Sequence, residues 1–501
     1  MINDKFYRNT FLLTLSNLTT GILGFIFSIT LSRELGPEGM GLYGLVMPIY
    51  NIFICLICGG VIAAISKISA IYKDNNDVLN LKKTINITIK FDILWACLVV
   101  IFVFFFAPFL GEKIIKDPRT ILSIRITCPA MIFIGISNIL KGYFYGTSSI
   151  KIPAFIDILE KFIRILIIVF IINYFNLKNI TQTVSAAYIA LCLGEFISLI
   201  LLYFYYKRSV NSLSCVSKKH ESRTQLLFNV LVISLPLCLN AFVSTALSAL
   251  STLILPRRLI VSGFNYSEAL SIIGKFTGMT LNIVFFPMIV IGSIITVLVP
   301  DLAQGINKND SYFIESRIIE VLRIAFLLGL STLVLCISIP ENLGMMFFKR
   351  NDLTYYIKFL SLCPPILYCD STTYGILNGL GKQNIMLRNS LFISVIELIS
   401  LYILTGIKSI NIFGYGITII ITSTISLCLN LKEIRKYYDL NISITNIFIY
   451  LLIAMLSYFS IIILKNQISN SSMVFKNFVL ISLGFSSFLF SILFTVKKNK
   501  I

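Results

Sequence analysis

The sequence predicts an all-α, polytopic membrane protein of about fourteen transmembrane helices, built as two pseudo-symmetric six-helix lobes followed by two C-terminal helices. Three observations predict it. Of the 501 residues, 57% are hydrophobic and 13% charged, and the mean hydropathy is +0.89; this leaves too little polar surface to cover a soluble globule of such size. The apolar residues also gather into about fourteen runs that reach the roughly twenty residues a bilayer span requires. Finally, the chain repeats itself weakly. Gly41, Ile62, Gly59 and Ala70 find counterparts about 233 residues later at Gly274, Ile295, Gly292 and Ala303. At an offset of about 235, Cys128-Pro129 matches Cys363-Pro364, Gly146 matches Gly381, and Ile150 matches Ile385. Two lobes of a membrane transporter account for such a pattern.

Taken in order, the runs cover approximately 7–32, 42–69, 85–110, 121–146, 152–174, 183–206, 225–255, 267–300, 318–340, 356–380, 385–406, 412–431, 444–464 and 475–496. The first carries Lys5 and Arg8 at its head and lacks a small-residue cleavage site, so it reads as a retained helix rather than a signal peptide. The stretch Arg33 to Ala70 opens with a glycine-rich turn between the first two runs, expected to form a hairpin, and continues as an apolar stretch that ends near Lys67. Pro48, Pro129, Pro236, Pro287 and Pro364-Pro365 fall inside runs and predict kinks, because each removes a helix hydrogen bond. The longest polar connection divides the repeats. Hence the expected domains are a first lobe at 1–206, a cytoplasmic linker at 207–224, a second lobe at 225–436, and two further helices with a basic tail at 437–501.

Orientation follows from the basic residues. With the N-terminus inside, the cytoplasmic face collects Lys67, Lys73, Lys82, Lys83 and Lys90, then Lys207, Arg208, Lys218, Lys219 and Arg223, then Lys432, Arg435 and Lys436, and the tail Lys497, Lys498 and Lys500. Over all connections this gives about 25 Lys and Arg inside against about 15 outside, which predicts a multi-pass cell-membrane protein with both termini cytoplasmic. The net charge of +19 is explained by topology and anionic headgroups, since no basic, aromatic-bearing domain exists to carry nucleic acid.

Several chemistries are excluded. The one histidine, His220, lies in a polar loop, which removes a histidine relay or triad. Cys55 and Cys58 form a CxxC on a predicted membrane helix, with no second pair nearby, and read as packing rather than a metal site. There is no GxxxxGK[ST] loop, HExxH or GxSxG, and no nucleophile with a matching base, so no catalytic residue, cofactor or metal is expected.

Ionised side chains inside apolar runs are the informative ones, because each costs roughly 2.5–3.5 kcal/mol at a helix centre unless partnered. The fifth run holds Asp157, Glu160, Lys161 and Arg164, which share one face and predict two i,i+4 ion pairs, Asp157–Lys161 and Glu160–Arg164. Such a face either lines a hydrated cavity or fixes this helix against a neighbour. Isolated charges stand at Asp92, Arg125, Glu195, Lys275, Asp370 and Glu397. Lys275, within Gly274-Lys-Phe-Thr-Gly278, is the expected substrate residue, with snorkelling to the outer surface as the alternative. Arg33, Arg257 and Arg258 at outer helix ends, and Lys67 at an inner end, are further candidates for an anionic substrate, or else interfacial anchors. Asn17, Thr19, Thr20, Ser28, Asn240, Ser244, Thr245 and Asn282 either line a cavity or act as packing polar groups.

Four stretches carry a family resemblance: RELGPEGMGLYGLVMPIY at Arg33 to Tyr50; GGVIAAISK at Gly59 to Lys67; LKGYFYG at Leu140 to Gly146, followed by Pro153, Glu160 and Arg164; and ILNGLGK at Ile376 to Lys382. Through them the first 430 or so residues resemble the multidrug, oligosaccharidyl-lipid and polysaccharide exporter superfamily, and within it the stage V sporulation protein B family. The resemblance implies a fourteen-helix flippase fold with a V-shaped cavity lined by helices one, two, seven and eight. It also implies alternating-access transfer of an undecaprenyl-diphosphate-linked cell-wall precursor, lipid II-like, for spore cortex peptidoglycan. The implied partners are a lipid-linked oligosaccharide, membrane lipids, cell-wall synthesis enzymes, and a coupling ion (H+ or Na+) or the membrane potential, with no nucleic acid. The alternatives are a polysaccharide repeat-unit flippase, a cation-coupled multidrug antiporter of the same fold, and a non-transporting sporulation scaffold.

Overall fold

The computed structural model describes residues 4–177, 179–211, 221–440, 444–467, 477 and 479–486. Expectations for His220, Lys218, Lys219, the tail lysines 497, 498 and 500, and most of the fourteenth run lie outside the described residues. The chain divides into two compact units, Met1–Ile254 and Leu255–Ile501.

In the first unit, α1 (Asp4–Cys58) runs into α2 (Val61–Asp74), followed by α3 (Val78–Phe109) with a π-helical turn at Leu110–Ile115, α4 (Thr120–Gly146), α5 (Lys151–Phe175) and α6 (Ile180–Asn211). The next helix, α7 (Arg223–Val261), contains the division between units. Where a glycine-rich hairpin is expected, α1 is instead helical on both sides of one residue. Gly36, at φ 66° and ψ −178°, breaks the helix in a backbone region open to glycine, and Pro37 restarts it. Gly60, at φ 73°, separates α1 from α2 and lies against α7, where an added Cβ would stand 2.5 Å from Leu237 Cβ. α4 packs against α2, α3 and α6, and α5 lies between α1 and α6.

The second unit continues with α8 (Tyr266–Ile273), a π-helical turn at Gly274–Thr280, α9 (Leu281–Phe285), α10 (Met288–Asn307), α11 (Ser311–Ser338), α12 (Pro340–Phe348), α13 (Thr354–Leu360), α14 (Pro364–Gly379), α15 (Gln383–Leu404), α16 (Phe413–Ile434) and α17 (Ile444–Gln467). α14 packs against α10, α11 and α16, while α15 pairs with α16 and α11 with α17. A buried apolar cluster of Leu298, Leu302, Ile318, Ile376, Leu377 and Ile434 cements the contact of α10, α11, α14 and α16.

Among the described residues nine helices are long and apolar enough to cross a membrane, and ten if Tyr266–Phe285 and Met288–Ala303, bent by 53°, make one span. The difference from about fourteen has four physical sources. The first two runs join into one continuous stretch, Thr14–Asp74. α5 is 25 residues long but carries too many charges for a hydropathy test. The tenth run is broken ahead of Pro364-Pro365, which start α14. The fourteenth lies mostly outside the described residues.

The internal repeat survives as packing. Gly142 of α4 lies against α2, where an added Cβ would stand 2.9 Å from Ile65 Cβ and 3.0 Å from the Ile62 carbonyl oxygen. Gly375 of α14, 233 residues on, lies against α10, 2.6 Å from Ile295 Cγ2 by the same construction. One turn later Gly146 meets Ser69 and Ala70, and Gly379 meets Val299 and Leu302. By packing, then, Gly146 corresponds to Gly379 rather than Gly381. Small residues let the two backbones approach in each unit, which is how helices associate where lipid offers no hydrophobic drive. Gly142→Val and Gly375→Val are each expected to destabilise the protein in detergent by about 1–3 kcal/mol, the cost of overpacking. Gly24→Ala, with nothing within 4 Å of the added Cβ, serves as the control and is expected not to lower the unfolding temperature, since alanine is the better helix former. Unfolding temperatures unchanged in both valine variants would contradict the crossing.

Candidate functional site

In the first unit the chemistry gathers on α5. Pro153, Ile156, Glu160, Arg164, Ile168 and Ile172 form its buried stripe, while Phe155, Phe162, Leu166 and Phe170 are exposed on the opposite side. A helix so divided presents its aromatic side to lipid and its ions to protein. Glu160, Arg164 and, from α6, Glu195 are 5%, 7% and 8% exposed. Arg164 pairs with Glu160 one turn away, and its Nη2 lies 3.2 Å from Glu195 Oε1. The guanidinium also lies 5.8 Å from the ring of Phe27 in α1, so one side chain ties α5 to α6 and α1. Gly194 admits the carboxylate, because a Cβ there would stand 3.0 Å from Glu160 Oε1.

Of the two i,i+4 pairs expected on α5, Glu160–Arg164 is present. Asp157, however, pairs with Lys141 of α4 at 2.7 Å, and Lys161 turns to Glu160 Oε2 at 3.1 Å. Lys141 is the more enclosed of the two lysines and brings its charge to Asp157 from a neighbouring helix, which leaves Lys161 to the second oxygen of Glu160. The resulting set holds three carboxylates (Asp157, Glu160, Glu195) and three cations (Lys141, Lys161, Arg164). It is neutral. Of the other isolated charges, Asp92 is buried against Gly135, with its Oδ2 unpaired among the described residues, and Arg125 is exposed, 5.2 Å from the Phe104 ring.

An open cleft of about 380 Å³ also lies in this unit, lined by Asn51, Ile54 and Cys55 of α1 and by Ser244, Thr245 and Ser248 of α7. Cys55 Sγ and Thr245 Oγ1 are 3.2 Å apart across it. Two of the small polar residues singled out in the sequence, Ser244 and Thr245, therefore face a cleft.

In the second unit Lys275 sits on the π-helical turn, where the hydroxyl of Thr280 donates to its carbonyl oxygen at 2.8 Å. A π-turn adds one residue per turn and re-aims the side chain it carries. Lys275 Nζ reaches Asp352 Oδ2 at 2.7 Å, in the connection between α12 and α13. Arg350 binds the same carboxylate through both ends of its fork, Nε to Oδ1 at 2.8 Å and Nη2 to Oδ2 at 2.7 Å. The side chains of Lys275, Arg350 and Asp352 are 22%, 34% and 38% exposed. Arg350's hydrogen bonds, and then that of Lys275, hold the Asp352 carboxyl well below the ordinary carboxylate range.

The expected substrate residues divide between the units. Arg33 and Lys67 are exposed in the first, and Arg257 is exposed at the end of α7 in the second. Arg258 packs its guanidinium 4.1 Å from the centre of the Tyr402 ring and donates to the Tyr402 carbonyl at 2.8 Å, the behaviour of an anchor. Lys275 joins a charge cluster with Arg350 and Asp352. Its partners Arg350 and Asp352 escaped sequence reasoning because they lie in a polar connection, where charges are commonplace. Lys141 stands within the quoted LKGYFYG stretch, yet nothing local marks it as a partner of Asp157.

Helices long and apolar enough to cross a membrane in both units, with ion pairs buried between helices of the first, define a polytopic membrane protein. The chain belongs to the polysaccharide biosynthesis protein family, whose sequence model matches residues 6–306. That model spans more than half of the 501 residues. It is 24% identical over 449 residues to stage V sporulation protein B of Bacillus subtilis (strain 168), covering 89% of this chain and 86% of that one. Lipid II flippase MurJ of the same organism is 20% identical over 382 residues, covering 73% and 68%. Among solved structures, lipid II flippase MurJ in an inward closed conformation matches with a TM-score of 0.71 at 14% identity, over 98% of this chain and all of that one. An inward-facing multidrug resistance MATE family transporter matches with 0.67 at 14% identity, over 84% and 97%. At such identity these likenesses establish the shared fold.

Two outcomes test the clusters. Arg164→Ala leaves Glu160 and Glu195 facing each other in the interior, a loss of about 3–5 kcal/mol for a broken buried pair, read as a lower unfolding temperature in detergent. Arg164→Met combined with Glu195→Gln is expected to recover part of it, and wild-type stability of Arg164→Ala would contradict the pairing. For Asp352 the folded pKa lies below the unfolded value of about 3.9, so its contribution is present above that pH and is lost only as pH falls through the folded value. The stability difference between wild type and Asp352→Asn is therefore expected to be flat from pH 5 to 8 and to shrink in stronger acid; a slope within pH 5–8 would contradict it.

Proposed function

We propose that this protein is a flippase that carries an undecaprenyl-diphosphate-linked cell-wall precursor, lipid II-like, from the inner to the outer leaflet by alternating access, in the service of spore cortex peptidoglycan synthesis. The observation that carries the reading is the kinship, over most of the chain, with stage V sporulation protein B and with a lipid II flippase. A headgroup of this kind is a hydrated anion that must cross hydrocarbon while its tail remains in lipid. The carrier must therefore offer a cation that is exposed enough to meet it and not neutralised by its own partner. Lys275, which shares one carboxylate with Arg350, meets that requirement. In the orientation predicted from the basic residues, both termini are cytoplasmic and Lys275 lies toward the outer face. An inside-negative potential then favours outward movement of the anion by about 2.3 kcal/mol per charge per 100 mV.

The test is accumulation of lipid-linked precursor in cells lacking the protein, complemented with wild type, Lys275→Ala or Glu160→Ala. Wild type is expected to relieve inner-leaflet accumulation, Lys275→Ala to fail at wild-type membrane levels, and Glu160→Ala to fail with reduced levels. Normal precursor levels on both faces in the deletion strain would sink the reading. Full complementation by Lys275→Ala would remove that residue from the site.

A further inference from the structure

The connection that carries Asp352 has a twin in the first unit. Gly111, Lys116, Asp117 and Arg119 stand 233 residues before Gly344, Lys349, Arg350 and Asp352. Lys116 and Lys349 both adopt left-handed backbone, at φ 67° and 54°. Each turn is closed by the same bond, Asp117 N–H to the Gly111 carbonyl at 2.8 Å and Arg350 N–H to the Gly344 carbonyl at 3.3 Å. The backbone is repeated, but the charges are exchanged. Asp117 and Arg119 in one unit become Arg350 and Asp352 in the other.

The third member changes sign as well. Arg119 is held by Asp117 and reaches Glu38 Oε1 at 2.8 Å. Asp352 is held by Arg350 and receives Lys275 at 2.7 Å. In the repeat register Glu38 corresponds to Ser271, one turn from Lys275. One cluster is thus a cation between two carboxylates, net −1, and the other a carboxylate between two cations, net +1. Either sign closes the turn, so clamping alone does not account for the cationic version.

Two cations converge on one oxygen, Asp352 Oδ2, and one carboxylate neutralises only one of them. All three side chains are reachable from outside the protein. A planar guanidinium fork beside an ammonium point charge is the donor set that recognises phosphate. We propose that Lys275 and Arg350 form an exchangeable anion seat, filled at rest by Asp352 and taken by a diphosphate ester that displaces it. This deepens the flippase reading and rests on it: Arg350 becomes a substrate-binding residue, and Asp352 an internal competitor. A diphosphate brings more charge than the carboxylate it replaces and neutralises the excess cation. Tethered beside the seat, Asp352 returns as the headgroup leaves, so the delivered anion is not trapped.

The experiment uses the full chain in lipid nanodiscs, with acylation of Lys275 by an amine-reactive reagent read by mass spectrometry. The probes are a polyprenyl diphosphate in the disc and inorganic pyrophosphate in solution. Either probe is expected to protect Lys275 in the wild type, and Arg350→Ala to abolish protection while Lys275 stays reactive. Asp352→Asn is expected to lower the half-protecting concentration severalfold, because a tethered competitor reduces apparent affinity by the fraction of time it leaves the seat open. Protection by either probe supports the seat, and the more potent one identifies whether the source is lipid-linked or free. Protection by neither, or an Asp352→Asn variant no more sensitive than wild type, overturns it; should that variant not fold, wild-type protection decides. The readout is binding at one lysine and not transport. A failed seat therefore leaves the accumulation test intact, whereas a failed accumulation test removes the substrate role of the seat and leaves only its anion binding.

Discussion

Hydrocarbon does not solvate ions, and the rest of this structure depends on how the chain meets that constraint. Arg164 is the plainest case. It is buried, it carries its charge on a membrane helix, and it is held by Glu160 on its own helix and by Glu195 on the next. With Lys141, Asp157 and Lys161 the cluster balances, so α5 can have an ionic inner face and an aromatic outer one. Pairing of this kind orients a helix about its axis as strictly as apolar packing would in water. In the first unit it fixes which face of α5 meets α1 and α6.

Duplication is the second organising fact. The same small-residue crossing occurs between α4 and α2 and between α14 and α10, and the same left-handed lysine turn precedes α4 and α13. Against this shared backbone the differences gain meaning. The first unit has its ions inside and a net negative turn, while the second has a net positive turn with a π-helical lysine beside it. Repeated halves keep one architecture and divide the chemistry, which fits the flippase proposed above, a protein that must hold itself together in lipid and still receive a charged headgroup.

Much of this was legible in the sequence, for identifiable reasons. Apolar runs expose helices because period and length survive without knowledge of partners, and the Glu160–Arg164 spacing exposes one ion pair because it is local. Pro287 and Pro364 mark real breaks because a missing N–H acts on its own helix. The contacts that define the clusters were not legible. Lys141 meets Asp157 from another helix, Glu195 meets Arg164 across 31 positions, and Asp352 meets Lys275 from a polar turn. Gly36 was read as part of a hairpin because glycine clusters favour turns, whereas one positive φ suffices to bend a helix that resumes at Pro37. The π-turn at Lys275 leaves no trace in hydropathy, since one additional residue shifts the phase of the helix without altering the apolar content of the run.

The central claim is that this chain moves a lipid-linked anion between leaflets. Its most direct test is translocation in vesicles that contain only the purified protein and a labelled polyprenyl-diphosphate saccharide, with the headgroup scored by a membrane-impermeant reagent on the opposite side. The account predicts that headgroups reach that side faster than in protein-free vesicles, and that the gain is lost with Lys275→Ala. A rate equal to that of protein-free vesicles, from protein that remains folded, would contradict it.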